Sequence, residues 1–255
     1  MTSPPEAAPD NAVREAYRDT VARLASVQKP SKGAPAYSRF VNRRAGRYLA
    51  AGAYRAGLTP NVVTAISAAF SAGAIVVLAV ARPSWQVAVL VCLGLVVGYA
   101  FDAADGQLAR LRGGGSPSGE WLDHMVDSTK ISALHLAVLI SVYRFFDFEH
   151  PGWLLVPVGF TVVAAVMFFG MTLNDQLRRF AQATTGQATA RTSTSTVRSL
   201  LVVPTDYGVL CLAFLALGWP HLFFTIYTAL FAANLIFLLL ASVKWFRDMA
   251  GLPSN

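Results

Sequence analysis

At 255 residues the chain has room for one or two ordinary domains, yet 55% of it is hydrophobic and only 14% is charged, against about a quarter charged in typical soluble domains. That balance excludes a water-soluble enzyme built on one buried core, and it excludes a disordered chain. The net charge of +7 is scattered between apolar segments instead of gathered on one face, which points to a polytopic membrane protein and away from a nucleic-acid partner.

Residues 1–32 form a polar extension, opened by Pro4, Pro5 and Pro9, with a short charged helix expected from about Asp10 to Val27. No basic stretch followed by an apolar run and a small-residue cleavage site is present, so no signal peptide is expected. Residues 33–58 interleave Arg39, Arg43, Arg44, Arg47 and Arg55 with Phe40, Val41, Tyr48, Leu49 and Tyr54. This is the pattern of a juxtamembrane amphipathic helix on an anionic membrane face. Residues 59–247 carry the membrane domain, and 248–255 a cytoplasmic tail.

A span needs roughly 20 mostly apolar residues. Candidates are Asn61–Ala81, Trp85–Asp105, Leu122–Phe146, Trp153–Leu173, Val197–Leu217 and His221–Phe246, which predict an all-α fold of six transmembrane helices. Cys92 and Cys211 lie inside apolar runs, so neither a disulfide scaffold nor a cysteine metal site is expected. With both termini cytoplasmic, only Arg82 and Arg144 of the 21 basic residues fall on the outer side, and the outer turn Asp147–Glu149 is acidic. The positive-inside rule then sets the orientation in the cytoplasmic membrane. Trp85, Trp153, Trp219 and Trp245 near span ends read as an interfacial belt.

Carboxylates near membrane depth are costly unless paired, metal-bound or facing a cavity. Five of the 14 acids nevertheless fall between Asp102 and Asp127, at the facing cytoplasmic ends of the second and third spans. Asp102 and Asp105 are three apart and Asp123 and Asp127 four apart, so each pair shares one helix face. Lys130 and Arg110 are too few to balance four carboxylates, whereas Mg²⁺ or Mn²⁺ suits hard oxygen ligands in this number. Two ions about 4 Å apart clamp an in-line displacement at phosphorus. Gly106 and Gly119 leave room for close approach of a nucleotide, Ala109 is small, and Arg110 is placed to meet a phosphate oxygen. Gly113–Ser116 is either a flexible hairpin or a direct ligand contact.

These residues, Asp102-x-x-Asp105-Gly106-x-x-Ala109-Arg110, then eight residues, then Gly119-x-x-x-Asp123-x-x-x-Asp127, resemble the signature of the CDP-alcohol phosphotransferase (CDP-alcohol phosphatidyltransferase) family. Leu58–Thr64 is similar to the family's opening segment. The resemblance implies a six-span homodimeric enzyme with a cytoplasmic site holding two metal ions. An acceptor hydroxyl would attack the β-phosphorus of a CDP-linked alcohol and CMP would leave. On this likeness Asp102 and Asp123 bridge both ions, Asp105 completes one and Asp127 the other, and Asp127 is also the general base. Asn61, Val62, Val63, Thr64, Gly106, Ala109, Arg110, Ser116 and Gly119 would hold the CDP group.

For the acceptor, the resemblance implies a polyol or polyol phosphate, with Lys130, Arg191 and Arg198 as its contacts. Arg198 lies where the inositol-phosphate branch carries an Arg. Asp123-His124 and Asp127-Ser128 are more similar to choline and ethanolamine phosphotransferases. Arg178, Arg179 and Arg191 are either additions to an anion pocket or ordinary positive-inside flanks. CDP-diacylglycerol is favoured as donor over a soluble CDP-alcohol; an intramembrane prenyltransferase and a cation-coupled transporter are the distant alternatives.

Several residues read as packing groups. His124 is expected in packing or a supporting hydrogen bond, His135 as an interhelical polar group, and Glu120 as an N-terminal helix charge. Asp206 either lines the cavity or pairs with Tyr207 or a Thr hydroxyl.

Overall fold

The computed structural model describes residues 17–26, 35–185 and 205–252, and among them there are helices and no strand. The helices are α1 (Tyr17–Ser26), α2 (Arg43–Arg55, continued backwards by a π turn over Ser38–Asn42), α3 (Pro60–Val80), α4 (Trp85–Leu111), α5 (Pro117–Phe145), α6 (Leu155–Thr185), α7 (Tyr207–Ala213) and α8 (Pro220–Ala250). Short 3₁₀ turns precede α6 at Pro151–Leu154 and follow α7 at Phe214–Gly218.

Five of these helices, counting the Pro151–Leu154 turn into α6, are long and apolar enough to cross a membrane. The expected fifth span is described only from 205 onward, where α7 and its 3₁₀ extension form a shorter apolar helix over Tyr207–Gly218. The expected helix from Asp10 is described over Tyr17–Ser26.

Helix starts are set by side-chain caps. Thr59, Ser84 and Ser116 accept from the backbone N–H of Val62, Val87 and Gly119, and Pro60 and Pro117 occupy first helical positions. These caps correct the span limits read from hydropathy. α4 runs on to Leu111 instead of ending near Asp105, and α5 starts at Pro117 instead of Leu122. The link shrinks to Arg112–Ser116, turned by Gly113 and Gly114 at φ 94° and 131°, a region glycine enters without steric cost.

Small residues let α3 and α4 approach closely. Ser67 Oγ donates to the Gly98 carbonyl at 2.8 Å, and a Cβ at Gly98 would collide with Ser71 Oγ. α2 lies on α4 in the same way, with no space for a Cβ at Gly46 against Ala103. α2 therefore buries Gly46, Ala50, Ala51 and Ala53 and turns Phe40, Val41 and Tyr48 outward. Leu24 of α1, Val63 of α3 and Ala104, Leu108 and Leu111 of α4 complete this small core. The main core, including Leu78, Leu95, Leu134, Phe214 and Tyr227, fills the bundle away from it.

Here His135 meets the expectation for an interhelical polar group: Nδ1 lies 2.7 Å from Tyr227 Oη and the ring stacks on Phe160. Trp85, Trp153 and Trp219 are exposed, joined by Trp121. Trp245 is half-buried and lies over Gly170 of α6, where a Cβ would come within 2.8 Å of the ring.

Candidate active site

The carboxylates stand where α4 and α5 face each other. One oxygen each of Asp102, Asp123 and Asp127 lies within 4.8 Å of the others. Asp105, one turn along α4 from Asp102, is buried, and its Oδ2 accepts a 2.6 Å hydrogen bond from Thr64 Oγ1 of α3. Thr64 Oγ1 is also 3.1 Å from the Pro60 carbonyl oxygen, which ties the first turn of α3 to the site. The extension of α4 beyond Asp105 makes this possible, because it keeps Asp102, Asp105, Gly106, Ala109 and Arg110 on one continuous helix.

A cavity of about 580 Å³ opens beside the aspartates. Asn61, Thr64, Gly106, Ala109, Arg110, Ser116 and Gly119 line it, together with Asp105 and Asp123. Gly119 of α5 lies close to the first turn of α3: a Cβ there would lie 3.1 Å from Asn61 Oδ1 and from Ser116 Oγ. At Gly106 the nearest atom to an added Cβ is Arg110 Nη1 at 3.5 Å. Val62 and Val63 are not in the lining: Val63 is fully buried in the α1–α4 core and Val62 points outward.

The far wall comes from α6, through Phe168, Met171, Thr172, Asp175, Gln176 and Arg179, which no motif in the sequence marks. The only local signal is that α6 stays helical past the apolar run and carries polar residues after Leu173. A second, smaller polar cavity of about 250 Å³ adjoins Asp102, Asp105 and Asp123 from the α2 side, lined by Ser38, Asn42, Arg43 and Tyr99 among others. Gln107 Nε2 fixes that wall by donating to the Arg43 carbonyl at 3.1 Å.

The cations take definite partners. Lys130 Nζ reaches Asp102 Oδ1 at 2.8 Å and Asp127 Oδ1 at 2.6 Å, which sets it among the carboxylates. Arg179 pairs with Glu120 at 2.6 Å and Arg178 with Asp248 at 2.8 Å. Glu120 is thus an ion-pair partner in the first turn of α5, and His124 Nε2 is 3.9 Å from it while its ring meets Phe168 edge-on.

Asp206 corrects the expectation of Tyr207 or a Thr hydroxyl as its partner. It caps α7, accepting from the backbone N–H of Gly208 at 3.0 Å and of Ser38 at 3.1 Å. A Cβ at Gly208 would collide with Tyr37, so glycine is needed where residues 35–42 lie on α7. Arg191 and Arg198 lie outside the described residues.

The donor set fits a hard divalent cation: three carboxylate oxygens converge, all-oxygen ligation suits Mg²⁺ or Mn²⁺, and Lys130 with Arg110 is too little positive charge to offset four acids. Carboxylates arranged this way, at the end of an apolar helical body, handle phosphoryl groups through divalent metals. The arrangement is therefore a candidate divalent-metal site on a helical body long and apolar enough to cross a membrane.

The family model for CDP-alcohol phosphatidyltransferase matches residues 57–241, and the chain belongs to that family. A search of curated proteins returned no match. Among solved structures, the phosphatidylinositol phosphate synthase of Mycobacterium tuberculosis with CDP-DAG bound is 22% identical, with a TM-score of 0.50 over 83% of this chain and 96% of that one. The same enzyme in complex with manganese and citrate is 23% identical, with a TM-score of 0.49 over 81% of this chain and 89% of that one. The likeness shows a shared fold. Membership of the family makes the chain an enzyme that is divalent-metal dependent and transfers a phosphatidyl-type group to an alcohol acceptor.

Proposed function

We propose that the donor is CDP-diacylglycerol, that the acceptor is a polyol or polyol phosphate, and that CMP is released at the cytoplasmic face of the inner membrane. The observation that carries the chemistry is the convergence of Asp102, Asp123 and Asp127 beside a cavity of about 580 Å³. A lipid donor is favoured by an apolar groove of about 410 Å³ between α3 and α5, lined by Ala68, Ala72, Ile75, Val76, Met125 and Val126 among others, with Lys130 in its wall. Acyl chains in that groove would start within one side chain of the reacting centre.

Asp102, Asp105, Asp123 and Asp127 would hold two divalent ions, whose charge neutralises the diphosphate of the donor. The protein's own groups do the rest. Asn61, Gly106, Ala109, Arg110, Ser116 and Gly119 cradle the CDP moiety, and Arg110 offers its guanidinium fork to a phosphate. Lys130 holds Oδ1 of Asp127, so Oδ2 of the same carboxylate is assigned as the base that takes the acceptor proton. The acceptor oxygen forms a bond to the β-phosphorus, the bond from that phosphorus to the bridging oxygen breaks, and CMP leaves with the electron pair. Arg191 and Arg198 stay assigned to the acceptor from their place in the sequence. Orientation follows from the basic residues: Arg43, Arg110, Arg112, Arg178, Arg179 and Lys244 surround the cavity end, while Arg82 and Arg144 mark the other. A homodimer belongs to the same reading.

The test is to supply purified protein with CDP-diacylglycerol and with soluble CDP-alcohols, across polyols and polyol phosphates, and to follow CMP. CMP from CDP-diacylglycerol alone is expected. Release only from soluble donors would overturn the lipid assignment.

A further inference from the structure

Lys130 is 6% exposed, on a helix that spans the apolar body. A buried ammonium is costly unless it is paired, and this one has two short bonds, to Asp102 on α4 and to Asp127 one turn before it on α5. Both bonds use Oδ1, so the ammonium leaves the other oxygen of each carboxylate uncovered. The Tyr207 ring lies over the ammonium, 5.8 Å from its centroid, and the edge of that ring pair is closed by Tyr99. The ammonium is therefore held between two acids and beside an aromatic ring, while its residue also lines the apolar groove between α3 and α5.

We propose that Lys130 is a positioning residue: its ammonium is the fixed counter-charge that holds the Asp102 and Asp127 carboxylates together across the α4–α5 interface and sets how much divalent metal the site requires. The proposal rests on the assignment of these two aspartates as metal ligands. Two consequences follow from electrostatics. Without the ammonium, two half-buried like charges face each other uncompensated, so the protein without metal loses stability. A divalent cation then supplies the missing charge, so linkage makes its binding tighter, not weaker.

The experiment compares wild type, Lys130→Met and Lys130→Arg in lipid nanodiscs, with no nucleotide or acceptor present. Free Mn²⁺ is read by electron paramagnetic resonance, and thermal unfolding is followed with EDTA and with Mn²⁺. For Lys130→Met we expect Mn²⁺ binding about tenfold tighter or more, and a fall in unfolding temperature that is larger in EDTA than in Mn²⁺. Lys130→Arg, which keeps the charge, is expected to return both readouts towards wild type. Turnover should show a lower kcat with an unchanged acceptor KM.

Unchanged or weaker Mn²⁺ binding in Lys130→Met would overturn the proposal, as would a defect confined to acceptor KM. Because Mn²⁺ binding is measured without substrate, a wrong donor assignment leaves this result intact. If Lys130→Met yields no folded protein, Lys130→Met/Asp127→Asn removes the cation and one carboxylate together and is expected to fold. Failure of that double variant too would show that Lys130 serves stability through other contacts, against the proposal.

Discussion

Thr64→Val tests the geometry most sharply, because the change keeps the shape of the side chain and deletes the hydroxyl that serves Asp105 and approaches the Pro60 carbonyl. The Thr64 hydroxyl reaches the buried Asp105 carboxylate at 2.6 Å. In sequence Thr64 belongs to a segment assigned to the nucleotide, whereas in the fold its hydroxyl is committed to an acid of the candidate metal cluster. A hydrogen bond to a charged group contributes about 1.5–3 kcal/mol. If that energy keeps Asp105 aimed during reaction, its loss lowers kcat by about one to two orders of magnitude, at 1.36 kcal/mol per decade. The assay is CMP release at saturating donor, repeated as a function of metal concentration. A lower kcat with a shifted metal requirement is expected, with Thr64→Ser close to wild type. A raised donor KM at full kcat would place the hydroxyl on the substrate and refute the reasoning.

Further expectations concern the cavity and the frame. Gly119→Val puts a branched side chain where a Cβ is already 3.1 Å from Asn61 Oδ1; donor KM should rise while the helical circular dichroism is kept. Removal of divalent metal by EDTA, or Asp123→Asn, should abolish CMP release, and Mg²⁺ or Mn²⁺ should restore only the EDTA-treated wild type. Gly98→Val forces a clash with Ser71 Oγ and should destabilise α3–α4 packing by about 1–3 kcal/mol, seen as a lower unfolding midpoint in detergent. Asp206→Ala removes the α7 cap and the bond to the Ser38 amide; a cost of about 0.5–2 kcal/mol is expected in the same measurement.

Much of the site was legible because its logic is local. Three- and four-residue spacings place Asp102 with Asp105 and Asp123 with Asp127 on helix faces whatever the rest of the chain does. Gly106 and Gly119 announce room for a ligand, and both line the cavity. Apolar length alone announces helices that cross a membrane. Their ends were misjudged for an equally local reason. Hydropathy marks where a helix becomes apolar, while Ser116 and Pro117 start α5 a turn before Leu122.

What the sequence by itself determined is the helical class, the long apolar helices and the acidic signature of the family, all properties of one helix and its period. Only the tertiary structure decided which residues meet across helices. It sent Thr64 to Asp105, buried Val63 in a core, supplied the α6 wall and paired Lys130 with two acids on different helices. Those outcomes depend on the rotation and approach of neighbouring helices. Contacts such as Gly98 on Ser71 and Gly46 on Ala103 set that approach, and hydrophobic periodicity carries no information about it.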